Sequence, residues 1–246
     1  MSKITKAQNR NHEAACALLQ KETLTMDERR FVLDHWRADA AHDVTRIGAY
    51  FTPRGLAEAV AQECHGADRV IDLCAGIGAL AFARWERDRP SRLVCVERDP
   101  VYAVVGRKVL PEAEWIVADV FSLVQRKDLG AFDLAVSNPP YGRLKRTSGG
   151  PRYRGGLFEY HVIDVASHLA EQGVFLIPQT SSPCRFSGAA AQRGDWIESE
   201  DCIRFRQETG IDLDLGLGID TSAWTHDWHG VKPTVESVRV DFGWKR

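Results

Sequence analysis

Val70-Ile-Asp-Leu-Cys-Ala-Gly-Ile-Gly-Ala79 decides the fold. Its opening residues form a short apolar run of the kind that makes a buried strand. Gly76 and Gly78 then permit tight backbone geometry and close approach of a ligand. From Ala79 onward the pattern becomes helical, so the stretch reads strand, glycine loop, helix. The second glycine is followed by Ala-Leu, so the full GxGxxG dinucleotide fingerprint is missing. The loop alone is therefore equally a plain turn.

Strands are predicted at 69–73, 92–96, 115–117, 132–137 and 173–177, with helices at 55–64, 79–87, 100–109 and 157–171 around them. This β-α-β-α rhythm with near-continuous apolar strands predicts an α/β fold, a doubly wound and mostly parallel sheet with helices on both faces. The tail segments 211–219 and 234–242 alternate and read as a hairpin-like pair on the sheet edge. A further helix is expected near 199–209, ending at Gly210. Residues 1–47 lie outside this pattern and read as a helical N-terminal extension to a 48–246 domain. Within it, Thr25-Met-Asp-Glu28 fits a capping box, and Ile47-Gly48 reads as its end.

Composition narrows the classes. The 246 residues are 44% hydrophobic and 27% charged, ordinary for a soluble globular protein with a sizeable core. A net charge of −2 gives no global nucleic-acid signature, so any such surface must be local. The six cysteines are scattered without a CxxC pair, which predicts free thiols rather than a zinc site or a disulfide framework. The eight histidines show no metal-ligand spacing. No leader-like or membrane-spanning run is read, so a cytoplasmic location without membrane association is expected.

Three acids fall in order at the carboxyl ends of consecutive predicted strands: Asp72, Glu97 and Asp119. Such ends line the crevice where α/β sheets bind ligands. Glu97 can accept ribose hydroxyls, and Asp119 can accept from an adenine amino group with Val120 or Phe121 against the ring. The fourth strand ends in Ser137-Asn-Pro-Pro-Tyr141. Two prolines cannot continue a central strand, because neither has an N–H to donate. The strand stops with an amide, two stiff carbonyls and an aromatic ring at its tip.

On these residues the sequence resembles the class I S-adenosylmethionine-dependent methyltransferases, and more narrowly the adenine-N6 DNA methyltransferases with an Asn-Pro-Pro-Tyr motif. Gly48-Ala-Tyr-Phe-Thr-Pro53 is similar to the motif that precedes the glycine loop in that family, and His229-Gly-Val-Lys-Pro-Thr-Val235 to the approach to its last strand. The resemblance implies a Rossmann-like fold with S-adenosylmethionine as cofactor. It implies cofactor contacts from Tyr50, Phe51, Thr52 and Pro53, from Asp72, Cys74, Ala75, Gly76 and Gly78, from Glu97 and Arg98, and from Asp119, Val120 and Phe121. It makes Asn138, Pro139, Pro140 and Tyr141 the catalytic residues. The same motif occurs in enzymes that methylate RNA bases or protein glutamines, so these stay open as alternatives. So does a catalytically silent subunit that presents nucleic acid to a partner.

The chemistry suits the motif. An aromatic amine is a poor nucleophile because its lone pair is delocalised. Two acceptors on its N–H bonds, the Asn138 side-chain oxygen and the Pro139 carbonyl, localise that pair, and the Tyr141 ring can stack on a flat substrate. The glycine-rich stretch 142–156 carries Arg143, Lys145, Arg146, Arg152 and Arg154. It reads as a mobile basic loop for phosphates, with Tyr153 as a stacking or wedging ring. DNA is thus the expected partner. Only 69 residues follow Ile177. No large recognition domain is expected there, so sequence choice falls to loops 142–156 and 181–198, to the N-terminal helices, or to a homodimer or separate specificity subunit.

Overall fold

The computed structural model describes residues 5–38, 50–64, 66–188 and 195–243. Ile47-Gly48 and the start of the Gly48–Pro53 motif lie outside them. Two N-terminal helices come first, α1 (Lys6–Leu18) and α2 (Met26–His35). The capping box expected at Thr25 is formed: its hydroxyl accepts from Glu28 N at 3.3 Å, and its N–H donates to the Glu28 carboxylate at 2.9 Å.

The α/β part then runs α3 (Arg54–Val60), β1 (Arg69–Leu73), α4 (Ala79–Asp88), β2 (Arg92–Glu97), α5 (Pro100–Val109), β3 (Glu114–Val117) and β4 (Phe132–Ser137). It continues with α6 (Phe158–Ala166), β5 (Ala170–Pro178), a two-residue ribbon of β6 (Cys184–Arg185) and β7 (Asp195–Trp196), α7 (Glu200–Thr209) and β8 (Val235–Asp241). The main sheet has the order β3-β2-β1-β4-β5-β8. Its first five strands are parallel, and β8 closes the edge antiparallel to β5. The doubly wound, mostly parallel sheet is therefore as expected. Strand order reverses between β1 and β4, where Asp72 pairs with Val136, so the glycine loop and the Asn-Pro-Pro-Tyr turn leave adjacent strands at the switch point.

Two cores flank the sheet. On one face Leu56, Leu80, Tyr102 and Leu134 pack with Ala15, Val32 and Trp36 from the N-terminal helices. Ion pairs Arg30–Glu86 (2.6 Å) and Arg54–Asp34 (3.0 Å) fasten α2 to α4 and α3. The other face gathers Phe132, Tyr160, Phe175 and Phe205.

Two tail expectations need correction. The helix predicted at 157–171 stops at Ala166, because pairing with β4 reaches Ala170 and draws that segment into β5. The segment 211–219 forms no strand; it makes one isolated bridge, Asp214 to Arg239. Gly216 (φ 58°) and Gly218 (φ 69°) turn the chain out of extended geometry there. The expected helix before Gly210 is present, with Gly210 at φ 70° as its left-handed cap.

Candidate cofactor and amine site

The glycine loop is held against β2. Ala75 N donates to Val96 O, and Gly76 N to the Glu97 carboxylate at 2.8 Å. Gly76 adopts φ 58°, and a Cβ placed on it would come within 3.0 Å of the Phe51 ring. A side chain there would be strained by the backbone geometry and would crowd the Phe51 ring. Cys74, at φ 62°, is one of two described non-glycine residues in the left-handed region, a strain typical of functional loops.

The three acids sit where the strand ends place them. The second Glu97 oxygen accepts from Asp99 N at 2.8 Å, and burial pushes its carboxyl pKa up. Asp72 is 1% exposed. One of its oxygens accepts from Ala81 N at 3.2 Å; the other is buried without a partner. Desolvation raises its pKa well above the usual carboxylate range. Asp119 caps a 3-10 turn, accepting from Phe121 N at 3.0 Å, and its other oxygen accepts from the Thr147 hydroxyl at 3.1 Å.

A cavity of about 740 Å³ opens along these strand ends, lined by Phe51, Glu97, Asp119, Asn138, Lys145 and Arg146 among others. Tyr50, Cys74, Gly76, Arg98, Val120 and Pro140 also reach it. Thr52, Asp72 and Ala75 line a smaller adjoining cavity of about 20 Å³ that Asn138 shares. Of the other cofactor candidates, Pro53 opens α3, Gly78 opens α4 against Trp115, and Phe121 is buried against Phe158 and His161.

Asn138 stands at the tip of β4. Its amide nitrogen donates to Tyr50 O at 2.8 Å and to the Thr52 hydroxyl at 2.9 Å. The Tyr50 carbonyl can only accept, so the amide orientation is fixed, and the side-chain oxygen accepts the Tyr141 hydroxyl. Tyr141 also packs on Tyr50, ring centroids 5.6 Å apart. Pro139 is buried at the turn.

The basic loop divides. Lys145 and Arg146 line the cavity, Arg146 also donating to Gly155 O, and Arg143 is exposed beside Asp201 at 3.4 Å. The remainder departs from the expected mobile loop. Arg152 is held by the fully buried Asp164 at 2.9 Å, by Ser167 and by Thr209 O. Asp164 needs a cation because a buried unpaired carboxylate is costly. Arg154 donates to the Gly150 and Pro151 carbonyls. Tyr153 is 1% exposed, packed among Tyr160, His161 and Phe205, so its ring is not presented for stacking.

Sequence reasoning passed over Thr147, Tyr102 and Glu159. Tyr102 joins the cavity wall through an aromatic cluster with Phe51 and Trp36. Glu159 carried a readable signal: an acid in the first turn of the mostly apolar Phe158–Ala166 helix. Among the described residues no cluster of His, Cys, Asp and Glu is suited to a metal, and no helix is long and apolar enough to cross a membrane.

No family model matches the chain. It is similar to the release factor glutamine methyltransferase of Mycolicibacterium smegmatis, 38% identical over 100 residues. That match covers 37% of this chain and 35% of that protein, so the chain spans about a third of the relative's length. Among solved structures it is similar to a candidate RNA methyltransferase from Pyrococcus horikoshii, with TM-score 0.54, 16% identity and coverage of 95% of this chain and 98% of that one. It is also similar to a candidate class I S-adenosylmethionine-dependent methyltransferase from Listeria monocytogenes (TM-score 0.53, 11% identity, 91% and 69% covered). A third is the N-terminal domain of EvdMO1 with S-adenosylhomocysteine bound (TM-score 0.51, 14% identity, 98% of each chain). The chain thus has the fold of the class I S-adenosylmethionine-dependent methyltransferases.

Proposed function

We propose that this protein transfers a methyl group from S-adenosylmethionine to a planar NH₂ nitrogen, namely adenine N6 in DNA. The observation that carries the reading is the fixed amide of Asn138 on the wall of the cavity. With its nitrogen committed to Tyr50 and Thr52, its oxygen is presented as an acceptor. The Tyr141 hydroxyl uses one lone pair of that oxygen and leaves the second for an N–H of the substrate.

The residues present fit the cofactor. The partnerless buried oxygen of Asp72 suits a cationic ammonium such as an amino-acid end carries, and pairing it relieves a desolvation penalty of about 1–3 kcal/mol. Glu97 keeps spare lone pairs for ribose hydroxyls, and Asp119 with Val120 suits an adenine edge. When bound, the sulfonium supplies an electrophilic methyl group. Asn138 Oδ1 and the Pro139 carbonyl accept the two N–H bonds of the amine, which localises its lone pair on nitrogen. The two prolines hold those acceptors in place beforehand, so no reorganisation is needed in the transition state. Held by Asp72, Glu97 and Asp119, the cofactor would supply its methyl group to the amine nitrogen in exchange for its own C–S bond, and the surplus amine proton would pass to solvent.

Lys145 and Arg146 on the cavity wall, with Arg143 outside it, favour a phosphate-bearing substrate. A target inside a duplex must be flipped out to reach the cavity. The similarity to a glutamine methyltransferase favours a second reading, since a primary amide presents the same flat NH₂. The deciding experiment is transfer of labelled methyl to duplex DNA, to RNA and to protein substrates, with product nucleosides and residues separated. Label in N6-methyladenine is the expected result. Label in methylglutamine, with none in DNA, replaces it with the second reading.

A further inference from the structure

The Asn-Pro-Pro-Tyr turn is fastened at both ends. Asn138 is tied to the 50–52 segment at its start. At its end stands Gly142, at φ 82°, with both of its backbone polar groups bonded to the first turn of α6. Gly142 O accepts from Phe158 N at 2.9 Å, and Gly142 N donates to the Glu159 carboxylate at 2.8 Å. The other Glu159 oxygen accepts the Ser181 hydroxyl at 2.7 Å. Glu159 is 1% exposed, and both of these donors are neutral. A carboxylate buried on neutral donors is expensive to keep. An apolar residue would satisfy the core, so the acid's contribution lies in what it holds.

We propose that Glu159 is a positioning residue for the amine-binding turn: it fixes Gly142, and through the adjoining Tyr141 it keeps the Tyr141 hydroxyl on Asn138 Oδ1. The inference rests on the methyl-transfer reading above and names a residue of that same site. Gly142 follows Tyr141 directly, so a displaced Gly142 peptide carries the Tyr141 hydroxyl off Asn138. The amide oxygen then loses the partner that steadies it, and only the bonds of the amide nitrogen to Tyr50 and Thr52 remain. Cofactor groups on the β1, β2 and β3 ends are untouched by this movement. The effect therefore falls on turnover and substrate KM rather than on cofactor affinity.

Two variants separate positioning from mere stability. Glu159→Ala removes the acceptor for Gly142. Glu159→Gln keeps one oxygen for Gly142 N–H, and the Ser181 hydroxyl can rotate to accept from the new NH₂. The measurements are kcat, cofactor Kd and amide hydrogen exchange at Gly142 in wild type and both variants. The expected result is a kcat loss on the order of 10²-fold in Glu159→Ala, the scale of a misplaced reacting group, with cofactor Kd unchanged. Recovery to within about threefold is expected in Glu159→Gln, because a hydrogen bond rather than a charge is at work. Gly142 exchange is fast in Glu159→Ala and slow in the other two. Unchanged kcat in a folded Glu159→Ala protein, or Gln no better than Ala, overturns the inference. Absence of methyl transfer by the wild type on every substrate defeats the functional reading instead. Gly142 exchange then still decides the clamp: unaltered exchange in Glu159→Ala overturns it.

Discussion

The side-chain amide of Asn138 donates to the backbone carbonyl of Tyr50 at 2.8 Å, across 88 residues of sequence. A second bond, to the Thr52 hydroxyl at 2.9 Å, reinforces it. Residues 50–52 and the strand-tip motif are therefore one device. The early segment does more than border the cavity: it fixes the orientation of the Asn138 amide.

Asn138→Ala removes the acceptor while leaving the cavity wall on Glu97 and Asp119 in place. Methyl transfer should fall by at least about 10²–10³-fold, the scale seen when a preorganised polar group is removed from a reacting centre. Cofactor Kd from calorimetry should stay within a few-fold of wild type. Retained turnover would remove Asn138 from the chemistry.

Thr52→Val deletes one of the two bonds that orient the amide and keeps the volume. Losing about 1 kcal/mol of orientation corresponds to roughly a five- to tenfold drop in kcat. The Tyr50 carbonyl remains, so the loss should be clearly smaller than for Asn138→Ala. Steady-state kinetics on the two variants side by side makes this comparison.

Glu97 joins two jobs, holding Gly76 N and Asp99 N while facing the cavity. Glu97→Ala should weaken cofactor binding by about 10–100-fold, the worth of charge-assisted hydrogen bonds to ribose. An unchanged Kd would take Glu97 out of the cofactor site.

How far these residues are legible in the sequence depends on whether local chemistry alone decides their place. Gly76, Gly78 and the two prolines impose backbone geometry whatever surrounds them, so β1, the glycine loop and the end of β4 can be read directly. Gly210 ends its helix for the same reason. The alternation of 211–219 suggests a strand, while Gly216 and Gly218 carry the contrary signal within the same stretch. Tyr153 cannot be placed from its neighbours. Its string of Gly and Arg looks solvated, yet burial comes from Tyr160 and Phe205, which the fold brings up from other elements. Arg152 escapes a local reading likewise, since its partner Asp164 sits on a helix face that reads as apolar.

Asp72 gives a pH test. Burial raises its folded-state pKa well above its ordinary value, so the folded protein holds this proton to higher pH than the unfolded chain does. Its contribution to stability is full at pH below the ordinary carboxylate range and is lost as pH rises through the folded pKa. Asn cannot ionise and escapes that loss. In the absence of cofactor, Asp72→Asn should therefore match wild type in Tm under acid conditions and exceed it by a few degrees, roughly 2–4 °C per kcal/mol, at alkaline pH. The same variant should bind cofactor more weakly, because the charge that suits an ammonium is gone. Thermal melts across the pH range check the first expectation, and a Tm gap that shrinks with rising pH would reverse the sign assigned to Asp72.

The basic residues divide into two groups with different predicted effects on nucleic-acid binding. Arg152 is bound to Asp164, Ser167 and Thr209, so replacing it should cost stability and leave the salt dependence of binding alone. Arg143, Lys145 and Arg146 lie at or beside the cavity, where the phosphates next to a flipped base would approach on the proposed reading. Their neutralisation should flatten the slope of log K against log salt by about 0.9 for each duplex phosphate that is no longer neutralised. Arg143 stands 3.4 Å from the carboxylate of Asp201, which offsets part of its charge, so Lys145 should contribute more than Arg143. Titrations at several salt concentrations with single and triple variants give the slopes. An unaltered slope in the triple variant, with folding intact, would leave the cavity's amine chemistry standing and point to a substrate without phosphates, the glutamine side chain.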